Sequence, residues 1–542
     1  MKRFFLVCVI VPAVLSTITH PLYPQDRSEG DDEFVISFLS GNFQLNPVYS
    51  FTASEAQIYS GLYEGLVGYH PLTMEPVPAV AERWDVSDNG LVYTFHLRDD
   101  ARFSNGDPVT AGDFRETWLR VIDPDTEAAY NFLYDVIDGV RAYRAGRTTD
   151  PRDVGIRVID EKTLEVRLHQ PATHFLRILC HHAFVPLHPD LRETDDWSDI
   201  ESPPTNGPYR LVERSEDELL LRRSPRYWDA DSVEIGQMRI LFTEEDEATS
   251  VTDRFNRGVV DWVTGGMDLS EVQFPEMIVV NPLFATTYYF LRADVEPFSD
   301  DRVRRALALL LPWEEIRSPD IHLSPATTLV PPIPYYPEID GITEQRIDEA
   351  LALLDEAGYT RGVRIPGISV HIPQGEETMR VAEIMQESWE EHLEVSVDIQ
   401  VTPYPAYFDA LGESDFTVGT VSWIGDFADP LTFLQMWISD SNVNDAGFTN
   451  LRYDRLIDDS MVERGKTRYE ILGRAEELLL QTGTVLPVSH SPSINLIDLK
   501  AVDGWFPNPL DVHPLKYLKF TDQEPVPGVI RYRPGDLPAP SR

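Results

Sequence analysis

Apolar and polar positions follow two periods along this chain, and from Phe34 onward the two alternate. VISFLS (35–40) has the short β-type run of a strand. SEAQIYSGLYEGL (54–66) predicts a helix, because Ile58, Leu62 and Leu66 recur every four residues. LVYTFHLR (91–98) alternates like a strand before the turn SNGDP (104–108), and Thr110 is placed to cap a helix through AGDFRETWLRVI. Further strands are expected at GIRVID, TLEVRLH, GPYRLVE, ELLLRRS and EIGQMRILFT. The second half opens on TTYYFLRA (286–293), rich in β-branched and aromatic residues, and continues into the helix DDRVRRALALLL, which Pro312 ends. After the Pro-heavy LVPPIPYYPEIDG (329–341), three helices (EQRIDEALALLDEAG, ETMRVAEIMQESWEEHL, AYFDALG) alternate with three strands (ISVHIP, EVSVDIQVT, FTVGTVSW). That alternation predicts parallel βαβ units. VLPVSH, INLIDL and YLKF close the chain as strands, giving a mixed α/β protein with two sheet systems.

The first residues do not follow this pattern. Lys2 and Arg3 precede an apolar run from Phe4 to Ile18, which is the layout of an export signal. The run is shorter than the roughly twenty residues that span a bilayer, and turn-prone Pro21, Pro24 and Asp26 follow it. Residues 1–26 are therefore expected to be a cleaved signal peptide, and the mature protein to work in the periplasm. No A-x-A triplet precedes Gln25, so an uncleaved membrane anchor is the alternative.

Composition narrows the function classes. Of 542 residues, 42% are hydrophobic and 25% charged, with 46 Lys and Arg against 90 Asp and Glu, a formal net charge of −44. So much apolar content excludes a disordered chain, and the length calls for two or more folded units. A surface this acidic repels phosphate, which excludes a nucleic-acid partner. With only Cys8 and Cys180, and Cys8 in the leader, no disulfide framework is available to the mature chain.

Catalytic signatures are absent: the chain has no G-x-S-x-G, H-E-x-x-H, P-loop, paired C-x-x-C or G-x-G-x-x-G. The densest metal-like cluster is His174, Cys180, His181, His182 and His188 in HFLRILCHHAFVPLH. Adjacent His181 and His182 would face opposite sides of a strand, and no second pair completes four ligands, so this stretch reads as buried and apolar with satisfied histidines. No catalytic residue, metal or cofactor is assigned, and binding is favoured over catalysis.

One constellation survives, in TVSWIGDFADPLTFLQMW (420–437). A strand ends at Trp423, and Asp429 before Pro430 starts a helix, which gives Asp429 a structural task. Asp426 has no such task. It lies between a strand's carboxyl end and a helix start, where ligands of open α/β sheets bind, and beside Trp423 it suits an ammonium group.

These residues resemble a family, the extracellular solute-binding proteins of the oligopeptide-binding type that serve ABC importers. The likeness runs in order through LRDDARFSNGDPVTAGDFRETWLRVIDPDT (97–126), PTNGPYRLVERSEDELLLRRSPRYWDAD (204–231), RFNRGVVDWVTG (254–265), YYFLRADVEPFSDDRVRRALALLL (288–311), IGDFADPLTFLQMW (424–437) and NLRYDRLID (450–458). It implies an α/β, two-lobed periplasmic-binding-protein fold of type II, of the large cluster with an extra inserted domain. Lobe one would comprise 27–69, 204–285 and 495–542, the insert 70–203, and lobe two 286–494. It further implies a monomer that captures short peptides and delivers them to an inner-membrane ABC permease with its ATPase subunits. Asp426 would pair with the peptide amino group, and Val421, Ser422 and Trp423 would lie along its backbone. Best-known members carry an arginine where this chain has Thr420, a glutamate at Phe51 and a tyrosine at Ser491, so contacts to the peptide's carboxyl end differ here. The alternative ligands within the family are a metal chelate, an oligosaccharide or an opine.

Overall fold

The computed structural model describes residues 33–39, 43–50, 52–172, 174–192, 194–197, 200–243, 247–318, 323–359, 365–403, 406–413 and 415–521. The expected signal peptide and Phe51 lie outside the described residues.

Two large sheets organise the molecule. The first has seven strands, in the order Ile278–Pro282, Pro492–Ile497, Trp262–Thr264, Glu33–Leu39, Gln237–Thr243, Glu218–Arg223 and Tyr209–Arg214. Glu33–Leu39 sits at its centre, parallel to both neighbours, and its Phe34, Ile36 and Phe38 are buried at the alternation the sequence displays. The second sheet has six strands, in the order Ser324–Pro325, Val485–His490, Ala285–Leu291, Val418–Ile424, Ile368–Pro373 and Val397–Thr402. Ile368–Pro373 and Val397–Thr402 pair in parallel around the helix Glu376–Leu393, as the βαβ pattern requires. That helix packs on Asp301–Leu309 through buried Met385 and Trp389, and Trp389 Nε1 donates to the Leu307 carbonyl at 2.9 Å.

The chain passes from the first sheet to the second between Pro282 and Ala285 and returns at Ser491, so the crossings join strands that neighbour one another in each sheet. Thr286 Oγ1 and His490 Nδ1, 3.0 Å apart, tie the two crossings together.

A separate four-stranded antiparallel sheet, ordered Ala81–Val86, Val92–Leu97, Thr163–Arg167 and Ile156–Asp160, lies within the early part of the chain. The helix Ala111–Val121 packs with it; Thr110 and Asp113 form a reciprocal capping box at its start, and Phe114 and Trp118 are buried. This unit also touches the second sheet's lobe. Arg141 pairs with Asp458 at 3.3 Å, and Asn442 Nδ2 donates to the Ala129 carbonyl at 3.2 Å.

Among the described residues no helix is long and apolar enough to cross a membrane.

Candidate ligand-binding site

Between the sheets and the early unit lies a cavity of about 530 Å³. One wall is the run Thr420–Asp426, at the carboxyl end of the strand Val418–Ile424. Facing it are Tyr59 of the helix Ala53–Leu62 and Tyr63 just past its end, and Tyr130, His181 and His182 of the early unit.

The strand Val418–Ile424 is paired along its length with Ala285–Leu291, in the register Thr286 to Trp423 and Tyr288 to Val421. On its other side it meets Ile368–Pro373 only at Val418. Beyond that point the edge is taken up by Tyr407, whose hydroxyl lies 3.0 Å from both Thr420 N and Thr420 O. Thr420 therefore turns its backbone groups to this edge, and by the alternation of a strand so do Ser422 and Ile424. Val421 and Trp423 turn theirs toward Ala285–Leu291. Of the three residues expected along a ligand backbone, Ser422 thus offers the open main-chain donor and acceptor, while Val421 and Trp423 supply walls.

After Ile424 the chain turns sharply. Gly425 N donates to the Phe284 carbonyl at 2.8 Å, and a Cβ on Gly425 would come within 2.8 Å of Thr432 and 2.9 Å of Phe284, so only glycine fits this turn. The turn delivers Asp426 to the cavity. Its backbone N–H donates to Thr432 Oγ1 at 2.8 Å, and the Thr432 hydroxyl donates to Asp426 Oδ2 at 3.1 Å. Oδ1 is 3.9 Å from His181 Nε2, beyond a direct hydrogen bond. Only 4% of the Asp426 side chain is exposed, and burial pushes its carboxyl up to about 7, against the modest opposing pull of the Thr432 hydroxyl.

The nearby Asp429 is placed differently. It accepts from Leu431 N at 3.0 Å, at the start of the short helix Leu431–Leu434, and is gripped by Arg468 at 2.7 and 2.8 Å. That pairing holds its carboxyl below the usual range despite full burial. The other carboxylates at the cavity are also engaged. Glu55 accepts from Gln44 N and Thr52 N, and Glu64 from Trp228 Nε1 at 2.6 Å and Lys516 Nζ at 3.3 Å. Tyr227 OH also donates to Glu64, so among the described residues Asp426 differs from Glu64 in lacking a cationic partner and from Glu55 in lacking paired backbone N–H donors.

The histidine-rich segment departs from expectation. It is not a strand: a helical turn, Phe175–Ile178, leads into a 3-10 turn, His182–Phe184, pinned by Trp118 Nε1 and Tyr134 OH donating to Phe184 O and Ala183 O. His181 and His182 consequently lie on the same side, with ring centroids 4.1 Å apart. Burial keeps both neutral. His181 Nδ1 accepts from Ala183 N at 3.2 Å, which leaves the proton on the Nε2 that faces Asp426. His174 is buried and stacked on Phe427 at 5.8 Å, and among the described residues neither ring nitrogen has a hydrogen-bond partner, in contrast to the satisfied histidines the sequence suggested. Among the described residues no group of three His, Cys, Asp or Glu is arranged to hold a metal ion.

Asp426, Trp423, Ser422 and Val421 are thus brought together at one cavity. Ser491 lies apart at the return crossing, its hydroxyl 3.5 Å from Thr287 Oγ1, and lines neither this cavity nor the one beside it. Sequence reasoning missed His181, Tyr69, whose hydroxyl donates to the Asp426 carbonyl at 3.3 Å, and the role of Tyr407 at the strand edge. No local pattern marks Tyr69, and His181 stands in the histidine cluster that the sequence reads as buried and satisfied.

Residues 75–445 match the family model described as bacterial extracellular solute-binding proteins, family 5. The chain belongs to that family. Similar curated relatives of this family 5 protein include the dipeptide-binding protein DppE of Bacillus subtilis, 29% identical and covering 91% of this chain and 92% of the relative. The periplasmic oligopeptide-binding protein OppA of Escherichia coli is 31% identical, covering 82% of this chain and 84% of the relative. The probable deoxycholate-binding periplasmic protein YgiS of Escherichia coli is also 31% identical, covering 86% and 89%. Among solved structures, the Escherichia coli murein tripeptide binding protein MppA superimposes with a TM-score of 0.80 at 25% identity, covering 90% of this chain and 98% of that one. The unliganded open form of MppA gives 0.63. The family 5 protein therefore has the two-lobed type II fold.

Proposed function

We propose that the protein captures short peptides in the periplasm and delivers them, as a monomer, to an ABC permease with its ATPase subunits. The observation that carries this reading is Asp426: a buried carboxylate without a cationic partner among the described residues, set at the end of an open strand edge in the cavity. A peptide amino group supplies the missing charge, and the peptide backbone supplies a strand partner for Ser422. His181 Nε2–H lies 3.9 Å from Asp426 Oδ1, a gap that one water accepting from the imidazole and donating to the carboxylate would bridge. Thr420 in place of an arginine leaves the far end without a dedicated carboxylate partner, so ligand length is unrestricted. The names of the relatives DppE and OppA favour peptides, and the binding protein's role places it outside the cytoplasmic membrane.

A second reading, favoured by the relative named for deoxycholate, keeps the scaffold and gives the cavity a non-peptide ligand. Native mass spectrometry of protein purified from the exported fraction separates the two. The peptide reading predicts a heterogeneous bound mass of a few hundred daltons that fragments as peptides. A single homogeneous non-peptide mass would replace it with the second reading.

A further inference from the structure

The cleft continues past the first cavity. A second cavity, of about 370 Å³, adjoins it, and the two share Val421 and Trp423. Alternation along the strand puts these two side chains on one face, so the second cavity runs beside the edge that Ser422 opens. Its walls are aromatic: Trp437 meets Tyr288 edge-on at 5.7 Å and Phe290 at 6.4 Å. Asp445 opens onto this space.

Asp445 stands at the exposed mouth of this cavity. It has no hydrogen-bond or ion-pair partner among the described residues. The cation that acts on it, Arg292, is already held by both oxygens of Asp294 at 2.7 Å. Of the other charges nearby, Glu55 is saturated by two backbone N–H groups, and Arg144 is held by Asp135 at 2.9 Å through two bonds. Asp445 keeps an exposed face at the mouth of this cavity, and the partial desolvation from the protein beside it pushes its carboxyl up to about 6, which leaves it ionised at neutral pH.

We propose that the second cavity is a side-chain subsite that selects a cationic side chain, of the lysine or arginine type, with Asp445 as its specificity-determining residue. This rests on the peptide reading above. A cationic head would complete the charge of Asp445, while its methylene stem and the head itself lie against the aromatic faces, an arrangement in which cation–π attraction and a charge-assisted hydrogen bond act together. A neutral side chain would fill the space and leave the carboxylate further desolvated. An acidic one would meet it with like charge, so discrimination arises from repulsion as well as attraction.

Calorimetric titration at pH 8 tests this with tetra-alanine and with single replacements at its second, third and fourth positions by Lys, norleucine or Glu. At one position Lys should bind at least about tenfold more tightly than norleucine, and Glu more weakly than either, as a charge-assisted contact implies. Asp445→Asn should collapse the ratio of Lys to norleucine toward one. Equal binding of Lys and norleucine at every position, or a Lys preference that survives Asp445→Asn, would overturn the subsite while tetra-alanine binding stands. If tetra-alanine itself does not bind, the peptide reading fails and takes the subsite with it.

Discussion

On the proposed reading, Asp426 concentrates the binding energetics in one carboxylate. With its folded-state value raised to about 7 by burial, it resists ionisation when the cavity is empty and welcomes a cation when one arrives. A carboxyl raised in this way contributes stability that is fully present below its unfolded value, near 4, and is lost as pH rises through 7. Asp426→Asn cannot ionise. In denaturant unfolding of ligand-free protein, the variant should therefore gain on the parent between pH 4 and pH 8, by up to about 4 kcal/mol, since each tenfold change in the ionisation equilibrium is worth about 1.4 kcal/mol. Peptide affinity of the parent should move the other way, falling as pH drops below 7, because the amino group needs the ionised carboxylate and binding must release a proton. A stability difference that stays flat with pH would show that Asp426 is ionised at no cost. Asp426 was legible as a candidate because Asp429 so clearly had a capping task and its neighbour did not. The grip of Arg468 on Asp429 was not legible, since it joins residues 39 apart on different elements.

At the scale of elements, the strand Val418–Ile424 is held on one side by seven residues of register and on the other by a single pair and one hydroxyl. Tyr407→Phe removes that hydroxyl and leaves the buried Thr420 N–H unsatisfied, at a cost of about 1–3 kcal/mol in folding stability. The denaturant midpoint should fall accordingly, and peptide affinity should fall with it as the open edge loses its anchor. An unchanged midpoint would mean that Tyr407 is only packing. Periodicity recovers most strands and helices, and ISVHIP to the residue, because half-buried strands and amphipathic helices write their burial into the sequence. It fails where burial is complete. The helix expected to reach Leu66 ends at Leu62, since Glu64 is drawn into bonds with Trp228 and Lys516, and the fully buried histidine segment shows no period by which a turn could be told from a strand.

In the whole molecule, the early unit, the first sheet and the second sheet each contribute one wall of the cavity, so the site exists only when the parts are together. The Arg141–Asp458 pair and the Asn442–Ala129 hydrogen bond span the early unit and the lobe of the second sheet. The pair is half-exposed, and such contacts each contribute at most about 1 kcal/mol, which suits an arrangement that must open again. Fold class was legible from the order of elements and the family motifs along the chain; the second cavity was not, because Tyr288, Trp423 and Asp445 meet only through tertiary packing. The central claim is that the amino group of a short peptide is read by Asp426 in this cavity. Isothermal titration at pH 8 with tri-alanine and with N-acetyl-tri-alanine tests it most directly. The account predicts binding of the free peptide and a loss of about 2–5 kcal/mol on acetylation, the usual cost of unpairing a buried charged hydrogen bond. Equal affinity for the two peptides would contradict it.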